Sequence, residues 1–534
     1  MSNQLFSNTG KLSRFIIRRD RLRIPIWLLS LAIFTFVLAL AIPGMYPTQQ
    51  ERQIVAETMV NPAITAMMGP AYGIENYTNG AMFAHEMLLF TAIAVGIMSI
   101  LLVTRHTRAD EEDGRIEMIR SLPAGRLANL QATLNVLIGT NVLLAVVVGI
   151  GLYALGIESM NLEGSLLYGS ALGAAGIFFT ALTAFFSQLT VTSRGTIGFS
   201  ISILLLSYLI RAIGDVGNET LSWVSPFGWI LGSEVYVNNY WWPILLTIGV
   251  SLILIFIAFY LSAIRDLGAG LIPAKPGRNY ASRFLQSPLG LALRLQRTGL
   301  ISWAVGVYLL GASYGSIFGD LESFFSDNEM VAQLLQPMEG YSLIEQFIGM
   351  LMSIIAMICT IPALMAILKL KGEEKKNRTE HLLTRAVSRT SQLSCYFIIS
   401  VIVGLVMLVL SAIGLGSIGN SVLDEGVAFS TYFSAALVYL PAMWIMSGIA
   451  VLLIGIAPRL SGLTWLYLTY SFFVVYLGGM LKLPEWMGNI SPFGQIPKLP
   501  VEDMDWMRFF ILSVIAVVLT VIGFLGYNKR DIHG

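Results

Sequence analysis

The chain has 534 residues, of which 55% are hydrophobic and only 12% charged, and its mean hydropathy is +0.72. That composition excludes an ordinary water-soluble domain and makes lipid the expected solvent. A formal net charge of +1 excludes the basic surface that nucleic acid demands, so no nucleic-acid partner is expected.

Residues 1–23 are polar and basic, and no small-residue cleavage site follows the first apolar run, so that run reads as a retained anchor and not as a signal peptide. Phe15, Ile16 and Ile17 lie among Arg14, Arg18, Arg19, Arg21 and Arg23. The stretch reads either as a helix lying in the membrane surface or as a basic flank that orients the first span.

Apolar runs of about 20 residues, enough to cross the hydrocarbon, begin near Ile24, Phe83, Gln131, Ser165, Arg194 and Trp241. A second series begins near Gly299, Ser342, Gln392, Ala428, Arg459 and Arg508. The expected fold is therefore an all-α polytopic membrane protein of twelve transmembrane helices, arranged as two parallel six-helix repeats. Residues 1–263 form the first half with its surface helix, 264–298 a cytoplasmic linker with a second surface helix near Leu291–Arg297, and 299–534 the second half. Most of the 33 basic residues fall on one side if the N-terminus is inside, which puts both termini in the cytoplasm. Pro47, Pro62 and Pro70 mark an outer loop over residues 45–82, and Pro273, Pro276 and Gly277 mark the linker. Cys359 and Cys395 cannot build a disulfide framework and read as free thiols packed like small apolar side chains.

Between the second and third runs lies a charged island, residues 110–130, and it recurs once between the eighth and ninth. Glu111 returns as Glu374, Arg115 as Arg378, Glu117 as Glu380, Arg126 as Arg389 and Leu130 as Leu393, all at one spacing. Arg194 returns as Arg459, Ser225-Pro226-Phe227-Gly228 as Ser491-Pro492-Phe493-Gly494, and Arg265-Asp266 as Arg530-Asp531, in the same order. A collinear series of this kind indicates two related halves in tandem. Within the island, Asp110 to Asp113 are expected to open a helix, and Glu111 with Arg115, like Glu374 with Arg378, has the spacing of an ion pair on one helix face. Pro123 and Gly125 are expected to end it.

The run Glu111-Glu112-Asp113-Gly114-Arg115-Ile116-Glu117, continuing through Pro123 to Arg126, resembles the signature of the membrane subunits of type-2 ATP-binding cassette (ABC) exporters. The tandem twelve-span layout resembles the polyketide-antibiotic and multidrug exporters of that class, also described as type V exporter-like. The resemblance implies a permease of the cell membrane that moves a hydrophobic or amphipathic compound outward. It implies that Glu111, Gly114, Arg115, Glu117, Pro123 and Arg126 form one coupling helix and Glu374, Arg378, Glu380 and Arg389 the other. Each would contact one of two copies of a cytosolic ATPase, which would carry the ATP and Mg. The second copy departs from the signature with Asn377 for the glycine and Ala386 for the proline.

No phosphate loop occurs, the four histidines are scattered, and no nucleophile motif or metal-ligand spacing is present. Catalysis by this chain is not expected, nor is a cofactor or metal of its own. The resemblance also implies a cargo path lined by spans two, five, eight and eleven. Thr469, Phe472, Phe473 and Tyr476 share one face of span eleven, and Met350, Met352 and Met357 offer adaptable side chains in span eight. An ion-coupled secondary transporter, a sensor permease and a membrane enzyme are the competing readings. A carrier would need ionisable groups within the membrane, for which His85, Glu86, Arg211, Asp215 and Glu345 are the few candidates.

Overall fold

Hydrocarbon offers no partner to a backbone N–H or C=O, so an uninterrupted apolar run must satisfy its own groups as a helix. The computed structural model is accordingly helical, with no strand among the described residues. These are residues 5–60, 62–272, 279–320, 341–385, 387–423, 426–477 and 484–531. Ala386, Pro273, Pro276 and Gly277 lie outside them. The chain divides into two compact units, Met1–Gly277 and Arg278–Gly534.

In the first unit, α1 (Thr9–Arg19) turns at Asp20 into α2 (Arg23–Met45). Two short helices, α3 (Gln49–Met59) and α4 (Pro62–Met68), occupy the stretch expected to be a loop. After α5 (Asn79–His106) come the short α6 (Arg108–Glu112) and α7 (Arg115–Arg120), then α8 (Ala128–Ala154), α9 (Leu162–Leu189) and α10 (Ser193–Gly217). The unit closes with α11 (Glu219–Ser222), α12 (Pro226–Leu231) and α13 (Trp242–Ile264). Innermost is α9, which packs on α5, α8 and α13. Its approach to α8 depends on glycine, because a Cβ on Gly169 would lie 2.1 Å from the Ala145 carbonyl oxygen. Small residues at helix contacts are the usual route to close packing in lipid, where the hydrophobic effect does not drive association.

The second unit comprises α14 (Pro288–Gly315), α15 (Leu343–Glu374), α16 (Arg378–Leu383), α17 (Arg389–Val422), α18 (Phe429–Leu437), α19 (Leu440–Ile456), α20 (Leu463–Leu477), α21 (Glu485–Ile490) and α22 (Trp506–Lys529). The expected surface helix near Leu291–Arg297 is not separate. It forms early turns of α14, which runs on without the break that Asp20 marks between α1 and α2.

Ten stretches of helix among the described residues are long and apolar enough to cross a membrane. The two of the twelve expected that are not among them are α14, whose arginine-free half is rich in glycine, serine and tyrosine, and α20, of which 15 residues, Leu463–Leu477, are described. The most exposed faces are apolar: Leu245 and Phe256 of α13 are 70% and 75% exposed. Surfaces of that kind belong against lipid chains and not in water. The molecule is a polytopic helical membrane protein.

The recurrent Ser-Pro-Phe-Gly has one structural reason in both units. Phe227 and Phe493 are buried, and a Cβ on Gly228 or Gly494 would collide with the carbonyl oxygen of Ser222 or Gly488, at 2.0 and 2.3 Å. Glycine is required there so that the turn can fold back on its own backbone.

Candidate coupling segments

At the end of α5 the backbone breaks at Thr107, and Gly114, with φ of +72°, separates α6 from α7. The four carboxylates from Asp110 to Asp113 therefore close a five-residue helix and do not open a longer one. The break also removes the expected Glu111–Arg115 pair, since the two residues no longer share a helix face. Glu111 turns instead to Arg265, just past the end of α13, accepting from both guanidinium nitrogens at 2.9 and 3.2 Å. It accepts as well from the Gly268 amide at 2.8 Å and pairs with Arg108 at 3.1 Å. Arg115 binds the neighbouring Asp110 at 2.6 Å, which raises the guanidinium pKa through that hydrogen bond.

The second unit repeats this exchange. Asn377 takes the left-handed conformation of Gly114, with φ of +57°, so the departure from the signature keeps the backbone shape; asparagine is among the few residues that tolerate it. Glu374 accepts from Arg530 at 2.7 Å through both oxygens, and Arg378 binds Glu373 at 3.2 Å. Arg126 donates to the Arg265 carbonyl at 2.9 Å, and Arg389 to the Arg530 carbonyl at 2.7 Å. Each copy is thus fastened to the end of the last helix of its unit by two crossed contacts: carboxylate to arginine side chain, and arginine side chain to backbone. Arg265, Arg530, Asp110 and Glu373 were not among the expected site residues. The recurrence of Arg265-Asp266 as Arg530-Asp531, read as a mark of the duplication alone, is the signal that could have found the two arginines.

Glu117 and Glu380 behave differently from these locked groups. Both are exposed on α7 and α16, and among the described residues neither forms an ion pair or hydrogen bond through its carboxylate. Around them the two tips differ: Met118 and Leu122 are 72% and 63% exposed, where the second copy has His381 and Arg385. Ile116 is buried beneath α7, whereas Leu122 just beyond it faces outward. Pro123 is exposed, and its carbonyl accepts from the Asn8 side chain at 2.5 Å.

The first unit adds a tether from α1. Arg19 donates to both oxygens of Asp110 at 2.7 and 3.0 Å, and the backbone amides of Gly125 and Leu127 donate to the Ser7 and Leu5 carbonyls. Asp20 is fully buried against His106 at 2.6 Å. Burial works to raise the Asp20 carboxyl pKa, but the His106 hydrogen bond and the charges of His106, Arg23 and Arg19 together hold it below the ordinary carboxylate value. Lys369, which pairs with Glu373 at 3.4 Å, takes the place of His106 in the second unit.

A profile described as "Multidrug efflux system permease Rv1217c, C-terminal domain" matches residues 14–261 and 285–528. The chain belongs to this family of multidrug efflux permeases. The multidrug efflux system permease protein Rv1217c of Mycobacterium tuberculosis (strain ATCC 25618 / H37Rv) is 35% identical over 533 residues, covering 99% of this chain and 96% of that protein. Both matched stretches of the family profile include one charged island.

The expected cargo residues fall in two environments. On α20, Phe472, Phe473 and Tyr476 are 38%, 46% and 37% exposed, and the Thr469 hydroxyl donates to the Trp465 carbonyl. On α15, which packs against α20, Met350 is half-buried while Met352 and Met357 are buried in the core of the unit. The ionisable residues considered for a carrier are mostly in structural use. Arg211 is fully buried and binds Asp215 at 3.0 Å and the Thr65, Ala66 and Met67 carbonyls at the end of α4. His85 bridges the Tyr77 hydroxyl and the Gly69 carbonyl, and Glu345 completes a capping box with Ser342.

Proposed function

We propose that this permease is the non-catalytic membrane subunit of an ATP-driven exporter of the type-2 ABC class. It would carry hydrophobic or amphipathic compounds out across the cell membrane, with twelve spans, tandem halves and cytoplasmic termini. The observation that carries the reading is the repeated segment itself: a short helix, crossed-locked to the far end of its unit, that presents one exposed and unpartnered glutamate. Structural needs account for the locked carboxylates. They do not account for Glu117 and Glu380, and an outside partner supplying a cation does. Such a partner fits two copies of a cytosolic ATPase that bring ATP and Mg. Of the five ionisable candidates for a carrier, His85, Arg211, Asp215 and Glu345 are committed to local contacts, leaving Glu86 alone, which favours this reading over an ion-coupled carrier.

The decisive experiment is to search the adjacent reading frames for a soluble ATPase with a phosphate loop, co-express it with the chain, and follow complex formation and drug-stimulated ATP hydrolysis in wild type, Glu117→Ala and Glu380→Ala. The reading expects an isolable complex, with complex or stimulation lost in Glu117→Ala while the permease still inserts. Full drug transport by the purified chain with no ATPase present would overturn it.

A further inference from the structure

In the first unit α1 lies along α8 with Ile16 buried. In the second unit the stretch Leu291–Arg297 belongs to α14 itself, and what precedes it among the described residues is a single 3-10 turn, Arg283–Gln286. Between α14, the end of α15, α16 and the start of α17 is a cavity of about 260 Å³ whose apolar wall is Leu291, Leu295, Leu382 and Tyr396, with Gln392 and Cys395 beside them and Glu373, Arg378 and His381 also in its lining. Gln392 is only 2% exposed, and among the described residues neither its amide oxygen nor its amide nitrogen has a hydrogen-bond partner. Its counterpart Asn129 is satisfied in the first unit, donating to the His106 carbonyl at 3.0 Å. A buried amide with both functions unmet is costly to keep in an apolar wall. Of the charged groups in the lining, Glu373 and Arg378 pair with each other and Glu373 also with Lys369, so the carboxylate asks no countercharge of a ligand.

We propose that this cavity is a binding site for a small neutral amphiphile. A hydroxyl or amide head exchanges hydrogen bonds with both ends of the Gln392 amide, and an apolar body lies against Leu291, Leu295, Leu382 and Tyr396. The volume holds on the order of ten non-hydrogen atoms, enough for the head and the first part of a chain whose end extends beyond the cavity. Heads of this chemistry occur on neutral glycerolipids of the bilayer and on uncharged compounds passing through it.

Cys395 reports on the site directly, because it lines the cavity while the other thiol, Cys359, is fully buried. The full-length protein in phosphatidylcholine nanodiscs is alkylated with a small maleimide, with and without monooctanoylglycerol and with octyl sulfate as the charged comparison. Labelling follows the unoccupied fraction, so its rate falls by about tenfold at a probe concentration ten times the dissociation constant. Octyl sulfate gives no protection, and Gln392→Leu abolishes the protection given by monooctanoylglycerol. Leu295→Trp, which fills the cavity from the opposite wall, slows labelling without any probe. Absence of saturable protection in the wild type, or protection unchanged in Gln392→Leu, overturns the proposal. Mass spectrometry of protein taken from native membranes separates the sources. A neutral glycerolipid bound to wild type and depleted in Gln392→Leu assigns the site to bilayer lipid, and protection without such a lipid assigns it to a free amphiphile.

Discussion

Arg265 and Glu111 are each about nine-tenths removed from solvent, with side-chain exposures of 10% and 8%, so removing one partner strands the other's charge. Breaking a buried pair in this way costs about 3 to 5 kcal/mol. Arg265→Ala should lower the thermal midpoint of the purified chain clearly, and adding Glu111→Gln should restore part of the loss, since the two changes share one interaction. Arg530→Ala with Glu374→Gln should behave alike. Glu117→Ala sits at the other extreme: an exposed carboxylate without a partner should change stability by no more than about 0.5 kcal/mol, so any loss of ATPase stimulation in that variant reports on an interface and not on folding. Equal destabilisation by Glu117→Ala and Arg265→Ala would remove the distinction on which the coupling assignment rests.

At the scale of the element, α7 and α16 owe their shape to one backbone conformation reached by two residue types. A Cβ added at Gly114 meets nothing within 4 Å, so the cost of Gly114→Ala is conformational alone, about 1 to 2 kcal/mol for a left-handed alanine. Asn377→Gly should be nearly neutral by comparison, and differential scanning fluorimetry of both variants would check the contrast. Spacing alone made the repeat, the paired islands and the apolar spans legible. The ion-pair partners were not legible in the same way, because the i,i+4 rule assumes an unbroken helix and the left-handed residue defeats it. The recurrence of Arg265 as Arg530 marked the two halves as related, but nothing in that spacing said that these arginines, and not Arg115 and Arg378, would hold Glu111 and Glu374. Likewise nothing in the composition of α15 set the buried Met357 apart from the half-buried Met350, because both sit on an apolar helix and only packing separates them. On α20 the exposed aromatic face gives a sharper expectation: Phe473→Ala and Tyr476→Ala should leave the thermal midpoint nearly unchanged while altering which compounds stimulate ATP hydrolysis. A large fall in stability with an unaltered compound profile would identify that face as packing.

For the whole molecule the proposed orientation is open to a direct check. Single cysteines at Asn76, Trp486 and Lys375, all exposed, are placed in a variant lacking Cys359 and Cys395, and intact cells are treated with a membrane-impermeant thiol reagent. Asn76 and Trp486 positions should react and Lys375 should react only after lysis. Reaction at Lys375 in intact cells would invert the topology.

The crossed contacts that fasten Glu111 and Arg126 to Arg265, and Glu374 and Arg389 to Arg530, have a consequence for biogenesis. Every partner of each lock is encoded within its own half, so the first lock can close as soon as Arg265 has emerged from the ribosome, while most of Arg278–Gly534 is still to be made. Nascent chains that complete a domain's contacts early fold it as a unit and shorten the time its unpaired groups stay exposed. The chain is thereby suited to being assembled in two instalments, the first half settled in the membrane while the second is still being translated.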